Sequence, residues 1–291
     1  MTFVQIDELY SLIRSTDSEN IIVAVISNLP VDINRICDVN GVCLLHVLAE
    51  VGNLNLVRLA CDDGGNENQV DRWGRLPIHV ASIHGHLDIV NYLIESKGCD
   101  PLKQSKDGYN CLHYGISNSM LIQYLLQLNS VQSSKKSMVA LDGSSPLLLA
   151  CKAGVLETVR LLLEFAPGEL LETDHNGVSC LSFACWKGHV DVVKLLLSQP
   201  LYQQKQRDTH PANNQPLNSK PMNHLNQQSK CGYTCLHYAC VGGHGEIARM
   251  LVEAGVDEAI RDADGMQALD LMLNLAMEGG PKKSDNLLKG N

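Results

Sequence analysis

The chain has 291 residues and a net charge of −9, from 23 basic and 32 acidic side chains, and it lacks the basic surplus expected of a nucleic-acid surface. It is 45% hydrophobic but only 4% aromatic, a composition suited to small interlocking helices built from Leu, Ala, Val and Cys. Its purest apolar run, Ile21 to Ile26, is far shorter than the ~18 residues a membrane span needs, and Asp7 and Glu8 stand where a secretory signal would be basic. These features predict a monomeric protein of the cytoplasm or nucleus, with no membrane and no nucleic acid among its partners.

Residues 1–37 are expected to form an irregular N-terminal cap, with helices near Ile6–Ile13 and Glu19–Asn28. From residue 38 a period takes over. Gly41, Gly74, Gly108, Gly143, Gly177, Gly232 and Gly265 are separated by 33, 34, 35, 34, 55 and 33 residues. Self-similarity at this period specifies stacked supersecondary units rather than one globular core. In the second unit, Asp71-Arg72-Trp73-Gly74 suits a tight turn with glycine at positive φ. Leu76 to Ile83 then suits a short helix with Pro77 in its first turn. Gly85-His86 breaks it, and Leu87 to Glu95 makes a second helix that turns Leu87, Ile89, Val90, Leu93 and Ile94 inward. Neither helix is long enough to stand alone in water, so each unit must lean on its neighbours.

The third unit is shortened, with Ser117-Asn118-Ser119 in place of a Gly-His turn, and is expected to bend or open the stack locally. The 55-residue interval holds an insert at 199–229, rich in Asn, Gln and Pro, which predicts disorder and leaves room for a linear motif or a flap. The last unit carries Asp270 where the others favour His. Both ends are expected to present polar outer faces as caps, and 278–291 is expected to be a flexible tail.

The eleven cysteines follow the repeat. Cys111, Cys180 and Cys235 stand three residues after a repeat glycine, while Cys151, Cys185 and Cys240 follow a helix alanine. Buried free thiols pack as small apolar groups, and the cluster Cys231, Cys235, Cys240 has no zinc spacing, so no metal and no cofactor is expected. Histidine is equally periodic: His46, His79, His113 and His237 share one position, and His86, His189 and His244 another. The chain has no Gly-x-Ser-x-Gly elbow, phosphate loop or His-Glu-x-x-His. It is therefore read as a non-enzyme.

Leu76-Pro77-Ile78-His79-Val80-Ala81, Ser145-Pro146-Leu147-Leu148-Leu149-Ala150 and Thr234-Cys235-Leu236-His237-Tyr238-Ala239, with the turns Gly85-His86, Gly188-His189 and Gly243-His244, resemble the ankyrin repeat. The resemblance covers residues 38 to 273. It implies an all-α ankyrin-type α-solenoid, a turn plus two antiparallel helices per repeat, in one elongated array over 38–277. It also implies protein–protein binding as an adaptor or scaffold, with an inhibitor or regulator of an enzyme or transcription factor as the alternative. Recruitment for a ubiquitin ligase ranks lower, because the residues after Met277 are few.

In ankyrin proteins, turn tips and the inner ends of first helices meet the partner. By phase those positions here hold Arg72, Trp73, Arg75 and His84 in the second unit and Tyr109 in the third. In the later units they hold His175, Trp186, Lys187 and Tyr233. Trp, Tyr and Arg are the residue types that most often carry binding energy, although a tryptophan lying flat over its neighbouring turn would merely pack. The same resemblance marks Asp32-Ile33-Asn34 as the kind of segment an asparagine hydroxylase modifies.

Overall fold

The computed structural model describes residues 3–15, 23, 32–133, 138–203 and 224–277. Most of the expected helix at Glu19–Asn28 lies outside them, as does the tail from residue 278. The chain divides into two compact units, residues 1–142 and 143–291. Among the described residues the regular structure is helical, with three isolated bridge pairs, Cys37–Cys43, Thr173–Ser179 and Arg261–Gln267. No described helix is long and apolar enough to cross a membrane.

The first unit opens with α1 (Phe3–Ser15), whose Ile6, Leu9, Tyr10 and Ile13 recur at helical spacing and are all buried. It packs on α2 (Leu44–Val51). Tyr10 donates to the Ile36 carbonyl at 2.7 Å, and Arg14 pairs with Glu50 through Nε at 3.0 Å and Nη2 at 2.6 Å. The remaining helices come in pairs: α2 with α3 (Leu54–Asp62), α4 (Pro77–His84) with α5 (Leu87–Glu95), and α6 (Cys111–Tyr114) with α7 (Ser119–Gln127). A further turn, α8 (Asn129–Gln132), follows. The first helices α2, α4 and α6 pack in sequence and form the spine of this unit.

The second unit repeats the plan. Its pairs are α9 (Pro146–Ala153) with α10 (Leu156–Phe165) and α11 (Cys180–Lys187) with α12 (Val190–Leu197). After the short α13 (Pro200–Gln203) come α14 (Cys235–Val241) with α15 (Gly245–Glu253), then α16 (Ala268–Met277). Its spine runs α9, α11, α14, α16.

Four of the seven repeat turns are built the same way, with Ser105, Ala140 and Ser229 in place of the aspartate in the others. Asp71 Oδ1 accepts from the N–H groups of Trp73 and Arg75 at 2.9 and 2.8 Å, and Asp38, Asp174 and Asp262 repeat the pattern. The repeat glycines all have positive φ. At Gly74 (φ +73°) a Cβ would also come within 2.8 Å of the Lys106 nitrogen, so the residue serves both the turn and the close approach of the next tip. Tips are joined by one main-chain bond each: Arg72 N to Asn40 O, Lys106 N to Trp73 O and Leu141 N to Asp107 O in the first unit, Lys230 N to Asn176 O and Ala263 N to Cys231 O in the second.

The two histidine positions tie successive repeats together. His46, His79 and His237 accept the N-cap N–H at Nδ1, which leaves the proton on Nε2 to donate forward, to Arg75 O (2.9 Å), Lys103 O (2.9 Å) and Met266 O (3.3 Å). His86, His189 and His244 point backward to Glu50 O, Lys152 O and Trp186 O at 3.0, 3.0 and 3.1 Å. The cysteines interlock in the same register: buried Cys151 neighbours Cys180 and buried Cys185 neighbours Cys235, while Ser82 takes the equivalent place beside Cys111.

Three expectations change. Asn118 donates its side-chain amide to Gly85 O at 2.8 Å, so the shortened repeat is stitched to its neighbour in place of a Gly-His imidazole. The insert is ordered at both ends: Tyr202 and Leu225 are buried, and Gln228 donates to the Gly232 and Arg261 carbonyls, because each end has apolar or amide groups that find partners. Residues 204–223 lie outside the described set. Finally, α16 is not a polar cap. It buries Ala268 against the spine but leaves Leu269, Met272 and Leu273 at 47, 40 and 63% exposure.

Candidate protein-interaction surface

In the first unit the structure gathers Arg72, Trp73 and Arg75 into one turn-tip cluster. The Trp73 ring, 41% exposed, has the Arg75 guanidinium 4.6 Å and the Arg72 guanidinium 5.4 Å from its centroid. Both cations are themselves held. Arg75 Nε bonds the buried Asp71 carboxylate at 2.7 Å, and Arg72 Nη1 donates to Asn40 Oδ1 at 2.9 Å. Lys106 of the next tip donates to Arg72 O at 2.7 Å. The result is a solvent-facing aromatic fixed in place, with little side-chain entropy left to lose on binding.

Tyr109 follows the next repeat glycine and is half-buried. Its ring stacks on His113 (5.2 Å between centroids) and meets Tyr114 edge-on, while its hydroxyl donates to Asp142 at 3.0 Å. A cavity of about 360 Å³ opens beside Asp107, Tyr109, Leu141 and Asp142, where Leu141 is 70% exposed. His84 stands apart, exposed at the end of α4 and stacked near His86.

In the second unit Tyr233 repeats the arrangement of Tyr109, stacked on His237 and edge-on to Tyr238. His175 is exposed at its tip. Trp186 is the departure. It retains only 8% of its surface, packs 6.3 Å from Phe183, and is covered by the Lys187 ammonium 4.1 Å from its ring. The indole therefore contributes packing and a rim, not an exposed anchor like Trp73, because it lies one position earlier on its helix than the exposed Lys187. Phase had not singled out Lys152, Phe183 or Leu141, although Lys152 stands two residues past the helix alanine Ala150, where Trp186 stands past Ala184.

The Glu169 carboxyl is raised to about 7 by burial, reinforced by Glu172. Burial lowers the affinity of His46 and His237 for protons and takes His79 down to about 4, so these imidazoles stay neutral. Burial likewise pushes the Cys111 thiol up to about 12 and raises Cys151 and Cys185, whose neighbours Cys180 and Cys235 add to the effect. Such thiols are inert. Asn34 donates to Gly64 O at 2.9 Å and accepts from Asn66 N–H at 2.7 Å, which gives its amide a linking role between turns.

Comparison with known proteins agrees with this geometry. The family described as "Ankyrin repeats (3 copies)" matches residues 12–105, 45–137 and 112–208, and "Ankyrin repeats (many copies)" matches 223–272. The chain belongs to the ankyrin repeat family, an all-α solenoid fold that serves protein–protein interaction. It is 26% identical over 242 residues to "Ankyrin repeat protein nuc-2" of Neurospora crassa, covering 82% of this chain but only 20% of that protein. It is 29% identical over 222 residues to "Probable 26S proteasome regulatory subunit p28" of Saccharomyces cerevisiae, covering 68% of this chain and 93% of that one. Among solved structures, the ankyrin repeat domain of Bcl-3 matches with a TM-score of 0.56 at 24% identity, covering 78% of this chain and 92% of that one.

Proposed function

We propose that the chain is a non-catalytic adaptor or scaffold whose pre-ordered turn tips and first-helix ends bind a protein partner. The observation that carries this is Trp73, an exposed indole in contact with two guanidiniums that are themselves tied to Asp71 and Asn40. In residues 1–142 Arg72 and Arg75 supply charge complementarity, with Tyr109 as a rigid aromatic edge and His84 exposed at the end of α4; residues 143–291 offer their own set, Tyr233 with His175, Trp186 and Lys187. The protein works as a monomer in the cytoplasm or nucleus and takes a protein rather than nucleic acid.

A second reading, a regulatory subunit that inhibits or directs a larger enzyme, is favoured by the likeness to p28 across 93% of that protein's length. Adding purified chain to its captured partner's activity assay separates the two. Unchanged turnover supports the adaptor, and altered turnover supports the regulator. The adaptor reading itself is tested by partner capture with Trp73→Ala beside wild type.

A further inference from the structure

In the three helix pairs of residues 143–253 the helical carboxylates stand on the second helices, beside Arg160, Lys194 and Arg249. They are the exposed Glu157, Glu164, Asp191, Glu246 and Glu253, on α10, α12 and α15. The first helices α9, α11 and α14 carry no carboxylate at all, and α9 and α11 hold Lys152 and Lys187 in their last turns. These two lysines belong to one stacked run. The Lys152 ammonium lies 5.2 Å from the Phe183 ring centroid, Phe183 lies 6.3 Å from Trp186, and the Lys187 ammonium lies 4.1 Å from Trp186.

Neither lysine of this run has an ion-pair partner among the described residues. No carboxylate among them lies within 4 Å of either ammonium, whereas the equivalent position in the first repeat, Glu50, is neutralised by Arg14. The carbonyls that would attract a cation at these helix ends are already occupied, Lys152 O by His189 and Trp186 O by His244. Both cations are therefore laid over aromatic faces, ordered and without a counter-charge, in a protein whose net charge is −9.

We infer that Lys152, Phe183, Trp186 and Lys187 form a docking site for an acidic segment of a protein partner. Carboxylates of that segment meet the two ammoniums, whose places are set by the buried Phe183 and Trp186 rings beneath them. The inference rests on the reading of the chain as a protein-binding module.

The test uses the full chain and a blocked, fluorescein-labelled dodecapeptide of alternating Glu and Gly, read by fluorescence anisotropy beside its Gln counterpart. Saturable binding of the Glu peptide alone is expected, weakened at least tenfold in Lys152→Glu/Lys187→Glu with unchanged circular dichroism. Lys194→Glu, on the second helix α12, should bind as wild type. Equal binding of the Gln peptide, an equal loss in Lys194→Glu, or no effect of the double reversal would overturn the site. Displacement by inorganic phosphate at constant ionic strength would also overturn it, by marking a small-anion site. If capture through Trp73 persists while the Glu peptide fails to bind, this inference falls and the adaptor reading stands.

Discussion

Asn118 takes over in the third repeat the task that His86 performs in the second. Its amide donates to Gly85 O at 2.8 Å, as the His86 imidazole does to Glu50 O at 3.0 Å, and its Oδ1 also caps α7 by accepting from Leu121 N–H at 3.1 Å. Removing it loses one inter-repeat bond and one N-cap together. Asn118→Ala should cost about 2 kcal/mol, measured as a shift in urea midpoint at constant slope. A change within about 0.5 kcal/mol, the scale of a neutral surface substitution, would show that the third repeat does not depend on this stitch.

The forward-pointing imidazoles set a pH dependence. His79 titrates near 4 in the folded chain because burial penalises its charged form, against 6.5 when unfolded, and His46 and His237 shift in the same direction. The unfolded chain therefore binds protons first, so this stability is fully present above pH 6.5 and is lost as pH falls toward 4. His79 alone accounts for roughly 3 kcal/mol at 1.36 kcal/mol per tenfold change. Denaturant midpoints recorded from pH 7 to pH 4 should fall steadily, and His79→Gln should start lower and flatten the slope.

The interlocked thiols predict selective chemistry. Cys231 is exposed, Cys37 is partly so, and the other nine are buried. Under native conditions iodoacetamide should label Cys231 rapidly and Cys37 slowly. Cys151, Cys180, Cys185 and Cys235 should react only on unfolding. Peptide mapping after timed quenching reads this directly, and rapid labelling of Cys185 in the native protein would contradict the packing of α11 on α14.

The two tryptophans should behave oppositely. Trp186→Ala opens a cavity between α11 and its neighbours and should cost about 3 kcal/mol or more. Trp73→Ala removes an exposed ring and should cost about 1 kcal/mol or less. Thermal unfolding of the two variants side by side checks the ordering.

Most of the fold is legible because it is periodic. Seven glycines at positive φ and the repeated His and Cys positions encode turns and inter-repeat contacts through local chemistry alone. What was not legible depends on neighbours. Trp186 and Trp73 sit at different phases of turn and helix, and only packing against Phe183 decides that the first is covered. The polar composition of 199–229 hides Tyr202 and Leu225, two apolar side chains that anchor its ends. Asn118 was read as a missing Gly-His turn because no pattern of residue types shows that an amide can reach the same kind of carbonyl. The pairing of Lys152 with Phe183 crosses repeats and has no signature along the chain.

The most direct test of the account is quantitative affinity capture from native lysate, with wild type and Trp73→Ala as paired baits of matched circular dichroism. The account predicts a defined set of proteins held by wild type and depleted at least fivefold with the variant. Equal recovery by both baits would contradict the assignment of binding to the Arg72–Trp73–Arg75 tip.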